Sequence, residues 1–523
     1  MLNTELTPAT SHRVLRSLAL RTLTTDSDAF VPAPSQLDNG DEALYADKSG
    51  TYTKGVLQAG IGVVDPAAYQ SFKKALASGD PADFEKIIVG GTRTLNGPQG
   101  GLAFYLDCLD GGQFVSPPAP ALASEAYATE LVELYWASLL RDVAFTDYAG
   151  NAIAQQAATE LSGMPAYAGP RDAASQVTPD LLFRGGFAGD TSGPYVSQFL
   201  LQPTAFGSLP ITQQYVTNQA HVDFMLDPAE FLNVQNGIDT GKKLTPGAAL
   251  YLHDGRGLAA YTHDDVLYEA YFIAYLVLSA FNKLNPGNPY KHSKTQNGFA
   301  TMGGPDFAAT LAAVAKEALK AVWYQKWWVH LRHRPESGGA IVYLIKTGLG
   351  GTIEGQVSNT VLISNALKTS FTANGNSYFL SQAFPEGSPT HPAYPTGHGA
   401  VAGACITVLK FFFDGTQTIR PLLNAAGLEV VEPDPSGLAL NTYTGADRDS
   451  LDINGELNKL AHNISYGHGI HAGIHWRSDT ETSIQLGEAT ALSYLRDAAR
   501  TYNERFSVSL TKVDGSTATI TNP

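Results

Sequence analysis

Three short islands constrain this chain more than anything else in it: KWWVHLRHRPE at 326–336, SPTHPAYPTGHG at 388–399 and SYGHGIHAGIHWRSD at 465–479. Each places cationic or imidazole side chains where a helix must begin or end, because prolines and glycines interrupt each run. Eight of the 13 histidines lie between positions 330 and 475 (His330, His333, His391, His398, His462, His468, His471 and His475). A fold that serves these islands has to gather helix ends, distant in sequence, around one polar site. That demand favours a mainly α architecture with long loops.

Charge sharpens the point. The chain has 523 residues and a formal net charge of −15. This balance argues against nucleic acid or an anionic membrane as partner, since both need a basic face. Lys and Arg at the islands are therefore local positive charge on a negative protein. Cys108 and Cys405 are too few for a disulfide framework and read as small buried residues, with a structural bridge the minor alternative. The first residues, MLNTELTPATSHRVLRSL, lack a charged segment followed by a continuous apolar one, so the reading is no secretion signal and a cytoplasmic protein. The longest apolar run, YFIAYLVLSAF at 271–281, is too short to span a bilayer and reads as a buried helix.

Residues 1–123 are rich in Gly and Pro and read as a loop-rich wrap. The stretch 124–300 reads as a first helical bundle, and 301–523 as a second that carries the islands. ELVELYWASLLRDVAF at 130–145 spaces its apolar residues as a helix does. Further helices are expected at 263–284, 306–333, 398–413 and 455–500. FSVSLTKVDGSTATI at 506–520 is the clearest hairpin, turning on Asp-Gly.

In the second island, Pro392 and Pro395 keep the chain extended and Thr396 suits an N-cap for a helix through AVAGACITVLKFFF. The free N–H groups near Gly397 and His398 would make an anion site. The plain alternative is a capped helix with an incidental histidine. In the first island, Lys326 sits near a helix end, and Arg334 is held extended by Pro335. A lysine point charge with a planar arginine fork suits a tetrahedral oxyanion; a solvated basic helix end is the ordinary reading. In the third, His468, His471 and His475 could share one helical face, with Asp479 four residues beyond His475 to orient its ring. HAGIH also has the spacing of a divalent-metal pair, though Ala472 stands where a metalloprotease has Glu.

The order Lys-x7-Arg-Pro, Pro-Ser/Thr-Gly-His and Gly-x-His-x3-Asp resembles the superfamily of vanadium-dependent haloperoxidases and type-2 phosphatidic acid phosphatases. ELYWASLLRDVAFTDY (133–148), FRGGFAGDTSGPYVSQFL (183–200), LHDGRGLAAYTHDDVLYEAY (252–271), NGFATMGGP (297–305) and GELNKLAHNIS (455–465) resemble its algal and cyanobacterial bromoperoxidase branch. The resemblance implies a core of two four-helix bundles and a vanadate cofactor, whose place phosphate can take. It implies His475 as the vanadium ligand. Lys326, Arg334, Thr396, the Gly397 amide and His398 would hold the vanadate oxygens. His398 would be the acid–base residue, Lys326 would polarise bound peroxide, and His391 is the second histidine of bromoperoxidases. Asp479 and His471 would support the ligand from behind. The reaction implied is oxidation of bromide, with iodide and weakly chloride as further halides, by hydrogen peroxide. The hypohalous acid equivalent formed would then halogenate small organic acceptors. The resemblance further implies a homo-oligomer and a structural calcium ion near 297–305.

Two positions depart from the family's pattern. Thr396 replaces the usual Ser and keeps the hydroxyl. The arginine expected before the ligand histidine is missing. His468 falls on its position if one extra residue is allowed near His471, and Gly469 does so otherwise. Two other readings remain open from the sequence: an acid phosphatase using His475 as nucleophile and His398 as acid, and a non-catalytic oxyanion- or metal-binding helical protein.

Overall fold

The computed structural model describes residues 10–523. Eight helices frame the functional region: α1 (Glu125–Leu140), α2 (Gly255–Tyr261), α3 (Glu269–Phe281), α4 (Gly304–Tyr324), α5 (Pro335–Lys346), α6 (Gly397–Phe412), α7 (Ile453–Tyr466) and α8 (Arg477–Thr501). Strands occur only in small antiparallel pairs among the described residues. The fold is mainly α, as expected. The hairpin forms between β1 (Phe506–Thr511) and β2 (Thr517–Asn522), with Gly515 at φ 81° in its turn.

The helices are built around α6, whose every residue is buried. It packs against α4, α7 and, most extensively, α8. Glycines set that last contact. A Cβ on Gly403 would stand 1.9 Å from the Ile484 carbonyl oxygen, and one on Gly487 1.9 Å from that of Ala400. The two backbones therefore touch without intervening side chains. Gly399 lies against Ser483 as well, so α6 and α8 run side by side in the same direction.

Helix bounds depart from expectation where chemistry intervenes. The helix expected over 263–284 begins only at Glu269, because 262–265 is a loop whose polar groups are spent on neighbouring histidines. The one expected over 306–333 runs regularly from Gly304 to Tyr324, widens into a π-turn over Gln325–His330, and stops at Leu331 (φ 44°). The stretch expected as one helix over 455–500 is two. α7 passes into a π-turn, Gly467–His471, then Gly473 at φ 82° breaks the chain before α8 starts. A π-turn takes an additional residue into a helix and is found mostly at functional sites.

Within the Gly- and Pro-rich N-terminal part, the segment around Tyr52 and Lys54 packs on the first island directly. Tyr52 N–H donates to the Leu331 carbonyl (2.7 Å), and Lys54 pairs with Glu336 (2.6 Å) in the first turn of α5. Cys108 and Cys405 are both free and buried. No helix among the described residues is long and apolar enough to cross a membrane.

Candidate active site

The three islands meet at the N-termini of α5, α6 and α8. Arg334 immediately precedes α5, Thr396 precedes α6, and His475 lies two residues before α8. The Thr396 N–H donates to the Asp479 carbonyl (3.1 Å), which ties the starts of α6 and α8 together. The first N–H groups of each helix lack helical acceptors, so three partial positive ends converge on one place.

His475 is fully buried, and its surroundings fix its tautomer. Nδ1 lies 2.9 Å from Asp479 Oδ2, a carboxylate oxygen that can only accept. The proton therefore sits on Nδ1, and Nε2 carries a free lone pair. Arg334 Nη1, which can only donate, approaches that lone pair at 2.7 Å. Burial first, then Arg334 and Lys326, hold the imidazole well below its ordinary pKa, so it stays neutral and ready to act as a ligand. The four-residue spacing of His475 and Asp479 suggested a helical face. In fact Asp479 reaches back from the first turn of α8, and its Oδ2 also accepts from Trp476 N–H (3.1 Å). Oδ1 accepts from Arg332 (2.7 Å).

Arg334 also donates from Nη2 to His391 Nδ1 (3.0 Å) and from Nε to the His391 carbonyl (2.9 Å). Burial lowers its pKa to about 10. His391 is held low by burial, then by Arg334 and Lys326, and packs against Trp323 with centroids 4.7 Å apart. Lys326, in the π-turn, donates to the carbonyls of Pro392 and Ala393 (2.8 Å each). Burial and the nearby Arg334 hold its ammonium well below its usual range. An anion beside it would offset both effects.

Thr396 sits at the N-cap of α6, as expected, but its side chain makes no capping bond. Its Oγ1 is buried with no protein partner. A buried hydroxyl without a partner is costly, and at the head of three converging helices it suits a ligand oxygen. His398, in the first turn of α6, has Nε2 2.9 Å from Asp265 Oδ1 and stacks on His468 with centroids 3.6 Å apart. His468 in turn lies 5.7 Å from His475. Lys326, Arg334, His391, Thr396, Gly397, His398, His468 and His475 thus form one cluster, with Asp479 behind it.

His471 does not join them. The π-turn and Gly473 send it the other way, with Nε2 3.0 Å from Tyr195 Oη and its ring against Phe145 and Phe183. The expected support role, and the HAGIH metal pair, are corrected accordingly: His471 and His475 share no helix face. Among the described residues no three His, Cys, Asp or Glu side chains are grouped to hold a metal ion. In the 297–305 loop, Met302 N–H is taken by Asp306 and Thr301 Oγ1 bonds Glu504.

Two contributors escaped the sequence reading. Asp265 and Thr262, in the loop after α2, hold His398 and His468 respectively, the latter through the Thr262 carbonyl (3.2 Å). Only the local polarity of YTHDD (261–265) before an apolar helix hinted at them. Arg477 does not substitute for the missing arginine; it is buried in an ion pair with Glu133.

The donor set fits an oxyanion whose central atom His475 Nε2 would ligate and whose oxygens the surrounding donors would hold. Lysine, arginine, a free hydroxyl and helix N–H groups surround the unprotonated Nε2 of His475, whose lone pair is met by Arg334 alone. Comparisons with known proteins agree. The chain is 32% identical to a vanadium-dependent bromoperoxidase of Corallina officinalis, covering 92% of this chain and 94% of that one. It is 33% identical to a vanadium-dependent bromoperoxidase of Ascophyllum nodosum, covering 90% and 85%. The homohexameric second vanadate-dependent bromoperoxidase of Ascophyllum nodosum superposes with a TM-score of 0.90 at 27% identity, covering 97% of this chain and 90% of that one. No family model matches. The chain belongs to the vanadium-dependent bromoperoxidase family.

Proposed function

We propose that this protein is a vanadate-dependent bromoperoxidase. In the net reaction bromide gives up two electrons, hydrogen peroxide and a proton supply the oxidant, and hypobromous acid and water leave. The observation that carries the proposal is His475 Nε2, left unprotonated because Asp479 takes the proton-bearing Nδ1, and faced by Arg334 inside a cluster of donors. Vanadate bound there would supply Lewis acidity towards peroxide without changing oxidation state.

The chain's own residues then have distinct tasks. His475 holds the cofactor. Arg334, Lys326, Thr396 Oγ1 and the Gly397 N–H bind its oxygens, and the helix ends add fixed positive potential that needs no reorganisation. Lys326 would also present its charge to peroxide held at that site. His398 donates Nε2–H to Asp265, which leaves Nδ1 as the base for a proton arriving with hydrogen peroxide, and Asp265 steadies the imidazolium that forms. His391 and Trp323 pack against each other at one wall of the site. The products, released as a hypohalous acid equivalent, can halogenate small organic acceptors. Assembly as a homo-oligomer accords with the homohexameric relative.

The test is bromination of a phenolic dye by hydrogen peroxide and bromide, with metal-free protein titrated by orthovanadate and with phosphate as competitor. Saturable activity that vanishes in His475→Ala is expected. Inactivity at every vanadate concentration, with hydrolysis of phosphate esters instead, would overturn the proposal in favour of a phosphatase.

A further inference from the structure

Of the four histidines in the cluster, His391 Nδ1 and His475 Nε2 accept from Arg334, which leaves His468 and His398 as the two exceptions, each with a ring nitrogen whose lone pair no protein donor takes among the described residues. His468 is the more telling. Its Nδ1 lies 3.2 Å from the Thr262 carbonyl oxygen. A carbonyl only accepts, so Nδ1 carries the proton and Nε2 is left with a lone pair. That carbonyl cannot easily move away, because Thr262 is fully buried and its hydroxyl bonds back to Leu258 and Ala259 (3.0 and 3.2 Å). The ring is pinned on its other side by the stack with His398 and stands beside His475. It has no other hydrogen-bond partner among the described residues. The π-turn Gly467–His471 makes this placement, turning His468 into the cluster while His471 faces the aromatic side chains behind. The other exception, His398 Nδ1, stands in the same stack, with its Nε2 committed to Asp265.

We infer that His468 makes the site selective for tetrahedral oxyanions that carry a proton, its Nε2 accepting a hydrogen bond from a ligand O–H. The inference rests on the oxyanion-site reading above and deepens it. Hydrogen phosphate, hydrogen arsenate and protonated vanadate can all donate to this nitrogen. Sulfate cannot: it is the same shape, but every oxygen is an acceptor, and one would face the lone pair. A site built to accept from a ligand hydroxyl rejects an analogue lacking it far more strongly than shape alone allows. A cationic arginine at this position would favour neither kind of anion by protonation state. The imidazole therefore replaces general attraction with a choice between anions.

The experiment is isothermal titration of the full-length, metal-free protein with inorganic phosphate and with sulfate, at a pH where both are dianions, so that charge is matched. Phosphate is expected to bind at least about tenfold more tightly than sulfate, the loss that follows from one unmade hydrogen bond in a buried site. His468→Arg, which replaces an acceptor by donors, should narrow that ratio by about tenfold, mainly by gaining sulfate. His468→Gln, whose amide can still accept, should keep most of it. Equal affinities in the unaltered protein would overturn the inference without any variant. So would an unchanged ratio in a folded His468→Arg. Failure of phosphate, sulfate and vanadate all to bind would sink the oxyanion-site reading itself, and this inference with it.

Discussion

Asp479 is the residue whose alteration should most cleanly separate the ligand chemistry from the fold. It is fully buried, and its two oxygens serve three donors: Oδ2 takes His475 Nδ1–H and Trp476 N–H, and Oδ1 takes Arg332. Asp479→Asn keeps the shape but has one acceptor and one donor end. With its oxygen towards Arg332, its NH2 confronts His475 Nδ1, drives the imidazole proton to Nε2 and removes the ligand lone pair. In the other orientation, NH2 confronts the guanidinium. Loss of such a supporting hydrogen bond typically costs 10–100-fold in metal affinity, roughly 1.4–2.7 kcal/mol. Breaking a buried pair costs about 3–5 kcal/mol, and the figure here should fall towards the lower end because Arg332 keeps Glu130 at 2.9 Å. The assay pairs vanadate titration with denaturant unfolding, and Glu130→Gln is the control. Glu130 holds Arg332 and the Ser478 N–H but not His475. It should lose comparable stability while binding vanadate within about threefold of the unaltered protein. Equal weakening in both variants, or none in Asp479→Asn, would refute the idea that the tautomer governs affinity.

Thr396→Ala should weaken vanadate or phosphate binding by about 1–2 kcal/mol yet leave unfolding free energy nearly unchanged, because the hydroxyl has no protein partner to lose; Thr396→Ser should restore binding in the same titration. His462 gives a pH signature. Burial alone would lower its pKa, but Asp190 and Glu481 outweigh burial and raise it to about 10. Since the folded value exceeds the unfolded one of about 6.5, its stabilisation is complete below that pH and is lost as pH rises towards 10. Urea unfolding across this window should show a steeper decline in the unaltered protein than in His462→Gln. Gly487→Ala should cost about 3 kcal/mol or more, since its Cβ would meet the Ala400 carbonyl at 1.9 Å and the helices would have to part; thermal unfolding measures it.

How much of this was legible in the sequence depended on whether a residue's partner lay nearby in the chain. The Pro-Thr-Gly-His turn and the Arg-Pro junction were readable because proline and capping chemistry act locally; the helix after the first lies where expected, whereas the helix that starts at Pro335 was not anticipated, Pro335 having been read only as the end of the one before. His475 with Asp479 was paired correctly for the wrong geometric reason: four residues span a helix turn, and they also span the reach from a first-turn carboxylate back over a helix start. Glycine at 473 could have signalled the break, but a single glycine inside a helical pattern is an ambiguous mark. The π-turn over Gly467–His471 left no periodic mark in the sequence. Asp265 and Thr262 were out of reach, because their partners lie 133 and 206 residues away and no periodicity links them.

Backbone-to-backbone contact between α6 and α8 bears on how the protein is loaded in a mixture of anions. Helices locked at Gly403 and Gly487 leave little room to tighten around one guest and slacken around another. The receptor is then essentially the same object whichever oxyanion it holds, and binding one excludes another without reshaping anything. Occupancy in the steady state should follow simple competition: the free concentration of each anion divided by its dissociation constant. A protein made where phosphate is plentiful and vanadate scarce would emerge mostly carrying phosphate. It would gain activity afterwards at a rate set by phosphate departure, with no refolding step between.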